Sequence, residues 1–364
     1  MTKPIQIQVS KQDFRKIRQV ELEEQPLLED EVRVAIDKFA VTANNVSYCL
    51  GGEGLYWSFY PADEQWGVVP VWGVGTVVES NNVDAPVGTR LHGFYPMAGA
   101  TVLRLQKKND EQFVETSKHR EALPGLYSEY GNVTNNPKEM MHFEDARCLF
   151  VILLTSYVVS DYCVANNYFD AEQIVVSSVS SKTGFGLARL LKDDPACKAE
   201  VIGLTSMGNR EFVEKLDCCD RLLCYGDEQQ IANGKKTAYI DFAASSDLLT
   251  SLHDHLGDNL VESCLVGFTD WEGIEGPGDF PESLPGAKPH FFFHPAHQEM
   301  RDKEWGEGEL HRRGMRAVFK LIAEHTHHWD IEWVEGGEAL VEKWQALLDN
   351  KIPGRLGLMV KLGE

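Results

Sequence analysis

Apolar and polar positions change rhythm along this chain near residue 170. From Gln173 onward, short uninterrupted apolar runs alternate with stretches of helical period, the pattern of parallel strands joined by right-handed helical crossovers. The stretch Val175–Ala188, VVSSVSSKTGFGLA, predicts a buried strand fed by Gln173 and Ile174, then a tight turn over Ser180, Ser181, Lys182 and Thr183. Gly184 and Gly186 open a helix that carries Leu187, Ala188, Leu190 and Leu191. Further strands are predicted at Ala199–Thr205, Arg221–Tyr225, Ala238–Phe242 and Leu260–Phe268, with helices around Asn209–Leu216 and Asp247–Leu256. Such an alternation predicts a doubly wound parallel sheet, whose nucleotide crevice lies at the carboxyl ends of its strands.

Residues 1 to about 145 follow another pattern. Short strand-like runs at Glu31–Ile36, Val74–Glu79, Thr89–Phe94 and Thr101–Leu105 are separated by Gly-, Pro- and Asn-rich loops, and helical periodicity is scarce. A β-rich domain therefore precedes the nucleotide-binding one. Asp145–Val164 is a long apolar stretch predicted as one bridging helix, and the tail holds a helix at Gly337–Leu348, a turn at Pro353–Gly354 and a last strand at Leu356–Leu362. The domain boundaries that follow are 1–145, completed by about 325–364, and 146–324. Gly273–Gly286, GIEGPGDFPESLPG, has the composition of a mobile loop.

Composition narrows the function. The 364 residues suffice for about two domains with full cores. A formal charge of −21 opposes a sequence-independent grip on nucleic acid, which needs cations facing phosphates. The opening MTKPIQIQVSKQDFRK is too polar for a signal peptide, and no apolar run has the length of a membrane span, so a cytoplasmic protein is expected. The eight cysteines lack a CxxC pairing and read as free thiols. His294 with His297, and the group His325, His327 and His328, have no adjacent cysteine or HExxH pattern, so no metal site is expected.

The turn after Val176 carries the strongest chemical signal. A helix N-terminus presents N–H donors and a positive dipole end to an anion, the serine and threonine hydroxyls add donors, and Lys182 adds a charge. A plain strand-to-helix connection also favours serine and glycine. The Walker spacing GxxxxGK[ST] is absent, as is a GxSxG nucleophile elbow, which excludes the usual ATPase and serine-hydrolase patterns.

The strings VTANNVSY (41–48), VGTRLHGFYPMA (87–98), SSVSSKTGFGLA (177–188), VIGLTSMGNREFVEKL (201–216), IDFAASSDL (240–248) and FFFHPAH (291–297), in this order of elements, resemble the medium-chain dehydrogenase/reductase superfamily. Nearly the whole chain takes part. The likeness is greatest to the zinc-free quinone-oxidoreductase side, and there to a bacterial family of uncharacterised reductase-like proteins. It implies an α/β protein with a GroES-like β-rich catalytic domain and a Rossmann domain, a nicotinamide cofactor, a small-molecule substrate and a homodimer formed through the nucleotide-domain sheet edge. Thr183 stands where such proteins have the middle glycine of the phosphate turn, and its Cβ limits backbone approach while its hydroxyl can compensate. The zinc ligands of the metal-dependent relatives are missing: residues 50–147 hold no cysteine.

The second strand ends at Thr205 and Ser206, followed by Asn209 and Arg210, without the carboxylate that holds a free ribose 2′-hydroxyl. NADP(H) is therefore favoured over NAD(H). The resemblance adds Tyr225 beside Arg210 around the 2′-phosphate, and Thr155, Gly267, Phe268 and Phe293 around the nicotinamide; the plain readings are helix capping and core packing. For the chemistry, Asn44, Asn45 and Tyr48 fall where zinc-free relatives line the substrate cleft, although two asparagines also suit an Asx turn that holds the loop. Tyr56, Trp57 and Tyr60 predict an aromatic wall for a flat or apolar substrate, or else a local core or dimer contact. Tyr95, Tyr127 and Tyr130 are further hydroxyl candidates. The implied activity is NADPH-dependent reduction of a quinone, enone or other activated carbonyl without zinc. The alternatives are a silent nucleotide-binding or interaction protein and a lyase or isomerase on the same scaffold.

Overall fold

The computed structural model describes residues 3–136, 141–243, 245–267 and 283–362. The chain divides into two units, one of residues 1–149, 331–352 and 356–364, the other of 150–330 and 353–355.

The first unit is built on β1 (Ile5–Ser10), β2 (Ile17–Glu21), β3 (Glu31–Val41), β4 (Trp66–Gly67), β5 (Pro70–Ser80), β6 (Arg90–Pro96), β7 (Ala100–Asn109), β8 (Gln112–Glu115) and β9 (Glu129–Asn132). Its organising element is β3. The first half of that strand pairs antiparallel with β7 (Glu31↔Arg104 to Ala35↔Ala100), while most of its length pairs with β5 (Val32↔Ser80 to Ala40↔Trp72). With β5–β6–β9–β8–β7 completing the circuit, the sheet closes on itself and leaves few edges. Alternation along β3 sends Val32, Val34 and Ile36 inward, and a register shift between Ile36 and Lys38 then re-aims the strand. Lys38 is consequently buried, and two consecutive carboxylates of α2 (Met141–Phe150) meet it, Glu144 of the first turn at 3.3 Å and Asp145 at 2.6 Å. Arg90 holds Glu144 through both oxygens, at 2.8 and 3.1 Å. The helix α1 (Asn44–Gly51) follows β3 directly.

The second unit contains a parallel sheet of β10 (Gln173–Val176), β11 (Glu200–Thr205), β12 (Arg221–Cys224), β13 (Thr237–Asp241), β14 (Leu260–Leu265) and β15 (His290–Phe291), in the order β12-β11-β10-β13-β14-β15. The order reverses at β10, the switch point at which such sheets open a crevice. Every residue of β10 and β13 is buried, as expected of strands covered on both faces. Helices α3 (Leu153–Ala165), α4 (Lys182–Asp193), α5 (Arg210–Leu216), α6 (Ser246–Leu256), α7 (His294–Trp305) and α8 (Glu309–His325) belong to this unit. Leu248, Leu249, Leu252 and Leu256 of α6 form one stripe that packs with Val175, Ile202, Leu204 and Tyr239 of the sheet.

The tail supplies β16 (Asp330–Glu335), α9 (Gly337–Leu348) and β17 (Leu356–Lys361). β17 pairs with the end of β3 (Val360↔Phe39), which returns the C-terminus to the first unit.

Two expectations are corrected. The apolar stretch Asp145–Val164 is two helices, α2 and α3, because the amides of Leu154 and Thr155 bond the carbonyls of Val151 and Ile152, three residues back, where a continuous helix would bond four back. The predicted strand Leu260–Phe268 stops at Leu265. Residues 273–282 of the predicted Gly273–Gly286 loop lie outside the described residues. Among the described residues, no single helix is long and apolar enough to cross a membrane, and all eight cysteines are free thiols.

Candidate functional site

The strand-turn-helix after β10 forms, but α4 starts at Lys182, so Lys182 and Thr183, expected in the turn, lie in the first turn of the helix. Ser178 takes a left-handed conformation (φ 49°), and the turn closes with the Ser181 amide donating to the Ser178 carbonyl at 2.8 Å. Ser181 is the N-cap of α4: its Oγ accepts from the Gly184 amide at 3.0 Å. The glycines serve close approach. A Cβ on Gly184 would fall 2.4 Å from the Ser178 carbonyl oxygen, and one on Gly186 would fall 2.5 Å from Leu153 and 2.6 Å from the Ser156 Oγ of α3. Ser156 in turn donates to the Thr183 carbonyl at 2.8 Å, which fixes the first turn of α4 against α3.

The floor of the turn is a buried polar set that sequence reading missed. Ser177 donates to Asp241 Oδ1 at 2.5 Å and accepts from the Phe242 amide at 2.8 Å, joining the ends of β10 and β13. Only the pairing of these strands brings Ser177 and Asp241, 64 positions apart, together.

Around the turn, Ser180, Ser181 and Thr183 are partly exposed. Ser206 is exposed at the end of β11, and the Oγ1 of the preceding Thr205 is buried without a hydrogen-bond partner among the described residues. Asn209 reaches the hydroxyls of Ser206 (3.1 Å) and Ser180 (3.3 Å) and accepts from the Gly354 amide at 3.2 Å. The returning Pro353–Arg355 segment thus packs on the turn. Arg210 Nε pairs with Glu214, one helical turn on, at 2.9 Å.

Two residues depart from an open phosphate cradle. Lys182 is buried, with its Nζ 5.6 Å from the centre of the Phe150 ring, and burial pulls its amine down to about 8. Tyr225 turns back to the turn, where its hydroxyl accepts from the Ser178 amide at 2.9 Å and meets Ser178 Oγ at 3.0 Å. Thr155 sits in the first turn of α3, Gly267 approaches the Phe242 carbonyl after β14, and Phe293 caps α7 with 51% of its surface exposed. Phe268 lies outside the described residues.

In the first unit, the aromatic group gathers around Tyr48. Tyr48 is buried one turn into α1, its ring 4.3 Å from that of Tyr56 and edge-on to Phe94 at 5.4 Å, and its hydroxyl accepts from Trp72 Nε1 at 3.3 Å. Tyr56 and Tyr127 share a hydroxyl contact at 3.1 Å. Burial raises the pKa of the Tyr48, Tyr56 and Tyr127 hydroxyls above the usual phenol value, so these groups hold their protons. Trp72, unremarked in the sequence, stacks on His92 at 6.0 Å; His92 Nε2 is buried without a hydrogen-bond partner among the described residues, and burial holds the ring neutral. Alternation along β5 and β6 is the sequence signal that places Trp72, His92 and Phe94 on one side.

Other members of the expected cleft take the core-packing place. Tyr95 is fully buried and donates to the Leu91 carbonyl at 2.9 Å. Trp57 is buried against Gly67, and Tyr60 and Tyr130 both donate to the Phe94 carbonyl, at 2.6 and 2.5 Å. Asn45 holds a turn: its Oδ1 accepts from the Thr42 amide at 2.7 Å and its Nδ2 donates to the Pro70 carbonyl at 2.9 Å. Asn44 is half-buried and within hydrogen-bond reach of Tyr48.

Residues 39–353 match the model of a family described as a protein of unknown function, DUF2855. The chain belongs to that family. No curated protein matches the sequence. Among solved structures, the fold is similar to CurA from Vibrio vulnificus in complex with NADPH, at 13% identity over 99% of each chain and a TM-score of 0.59. It is similar as well to the Etr1p complex with NADP and crotonyl-CoA (11% identity, 99% of this chain and 100% of that one, TM-score 0.57). A third similar structure is the yhdH oxidoreductase from Salmonella enterica with NADP (13%, the whole of both chains, 0.52). The DUF2855 chain thus has the fold of the medium-chain dehydrogenase/reductase superfamily, as the sequence motifs imply.

Proposed function

We propose that the protein is an NADPH-dependent reductase of a quinone, enone or other activated carbonyl, acting without zinc. The observation that carries this reading is the turn between β10 and α4 at the switch point of the parallel sheet, where a capped helix start and three half-exposed hydroxyls converge. The residues fit a pyrophosphate: Gly184 permits the tight turn, and Ser180, Ser181 and Thr183 can donate to it. Ser206, Asn209 and Arg210 would hold the 2′-phosphate, next to the Thr205 hydroxyl, which has no hydrogen-bond partner among the described residues. Three structures of this fold hold NADPH or NADP, in keeping with this assignment. Thr155, Gly267 and Phe293 are proposed to border the nicotinamide. When bound, the cofactor supplies a hydride. Tyr48 would then serve as a donor to the developing oxyanion, since its hydroxyl keeps its proton and is oriented by Trp72. Tyr56 and Tyr127 would supply flat apolar surface for a conjugated substrate.

The test is to titrate the purified protein with NADPH and with NADH, then to follow nicotinamide absorbance with a panel of quinones and enones. NADPH binding with consumption on at least one substrate supports the reading; absence of binding to both cofactors overturns it. A second reading, a nucleotide-binding protein without turnover, is favoured by one contact. Ser178's amide is already engaged by Tyr225, and the only lysine of the turn is buried. Tight NADPH binding without consumption on any substrate would select it. Localisation in the cytoplasm and a homodimer belong to the same proposal, and gel filtration with light scattering tests the latter.

A further inference from the structure

Parallel pairing of β14 with β15 sets Cys264 opposite His290, and the two-residue alternation of a strand puts Glu262 on the same face as Cys264. One thiol, one imidazole and one carboxylate are thereby brought together, with one ligand atom from each lying within 4.8 Å of the others. Twenty-five residues separate Cys264 from His290, so no linear motif betrays the set. We propose that Glu262, Cys264 and His290 bind one zinc ion at the edge of the nucleotide-domain sheet.

The donor set suits zinc. Sulfur and imidazole nitrogen select a borderline-soft cation over magnesium or calcium, which take oxygen ligands. Three protein ligands leave a fourth tetrahedral position for water, and His290, on the last strand of the sheet, is half-exposed and gives the ion a path in. In a tetrahedral zinc site, neighbouring ligand atoms stand about 3.3–3.8 Å apart, so the Glu262–His290 contact of 2.5 Å has to open by about 1 Å, and the thiol, within 4.8 Å of both, has at most about 1 Å to close. Outer contacts are already built: the Tyr162 hydroxyl lies 3.5 Å from Glu262 Oε1, the His290 ring also hydrogen-bonds the backbone of Phe291, and the Phe292 ring lies 5.3 Å from that of Tyr162. The ion would staple β15, a strand of only two residues, to β14. It is independent of the reductase reading and of any zinc in the chemistry.

The experiment uses the full chain, freed of metal with a chelator under reducing conditions and titrated with Co²⁺ as the spectroscopic probe, then with Zn²⁺ as competitor. The expected result is one Co²⁺ per chain with a thiolate-to-cobalt charge-transfer band, displaced by Zn²⁺, and a thermal midpoint raised by Zn²⁺. Cys264→Ser should abolish the band, and His290→Gln and Glu262→Gln should each weaken Zn²⁺ binding at least about tenfold. Cys197→Ser, a thiol outside the set, should keep the band. No band in the parent chain, a band that survives Cys264→Ser or vanishes in Cys197→Ser, or unchanged affinity in His290→Gln each overturns the proposal. His290 is half-exposed on an edge strand, so its variant serves even if Cys264→Ser fails to fold.

Discussion

The phosphate turn of the second unit and the aromatic group of the first hold their polar atoms in opposite ways. At the turn, the hydroxyls of Ser180, Ser181 and Thr183 stay at least partly exposed around a helix start. In the aromatic group, most hydroxyls have already found partners inside the fold: Tyr60, Tyr95 and Tyr130 donate to main-chain carbonyls, and Tyr56 meets Tyr127. Burying a polar group is costly unless it is paired, so a tyrosine in a barrel wall spends its hydroxyl on packing, whereas a turn at a strand's end faces water and keeps its donors. A tyrosine-rich string is thus weaker evidence for catalysis than a short polar turn is for anion binding.

Four substitutions break or sharpen this contrast, the largest expected effect first. Gly184→Ala puts a methyl 2.4 Å from the Ser178 carbonyl oxygen, and neither partner is a movable side chain. It should cost about 3 kcal/mol in urea unfolding; a cost below about 1 kcal/mol would mean that the turn relaxes freely. Lys182→Met tests the buried cation. Because burial lowers its folded pKa from 10.5 to about 8, the unfolded chain binds the extra proton between these values, and the parent's stability rises over that pH window. The methionine variant should lack that rise and be the more stable of the two at pH 7, by up to about 3 kcal/mol. Denaturation at pH 7 and pH 10 reads both, and a loss of NADPH affinity in the same variant would return Lys182 to the cofactor.

Asn45→Ala removes the bonds to the Thr42 amide and the Pro70 carbonyl and leaves both without the side chain that met them. Unfolding should cost about 2 kcal/mol; loss of turnover at unchanged stability would instead place Asn45 in the chemistry. Arg210→Ala gives the smallest change in stability, within about 0.5 kcal/mol, since an exposed i,i+4 pair is worth little. Its NADPH affinity should fall about tenfold with NADH unaffected, read by parallel titrations; equal loss for both would remove Arg210 from the 2′-phosphate.

Much of the second unit is legible along the chain because its strands are fully buried and its helices amphipathic, so that each segment carries its own period. β11, β13 and α6 begin or end within a residue or two of the predicted positions. The first unit is less legible. β1 and β2 form a hairpin whose outer strand is mostly half-exposed, and β8 and β9 have four residues each, too few to establish a period. α7 is charged on most sides and has no clear apolar stripe, whereas α8 carries one at Leu310, Gly314, Val318, Leu321 and Ile322 among arginines and glutamates. At the site, Ser181 as helix cap is a local matter. The burial of Lys182, the closure of Tyr225 on Ser178 and the Ser177–Asp241 pair are not, for each depends on a neighbour many positions away.

By itself, the sequence determined the strand-turn-helix at Val175–Ala188, the parallel alternation after it and the superfamily fold that these resemble, because periodicity, capping and turn chemistry act over a few residues. Tertiary structure alone decided which polar side chains stay available. Whether Tyr95 lines a cleft or fills a core, whether Lys182 faces an anion or a phenyl ring, and whether Glu262, Cys264 and His290 meet are questions of strand register and helix packing. Those are set by burial summed over the whole sheet, and a residue's own neighbours in the chain do not carry that sum.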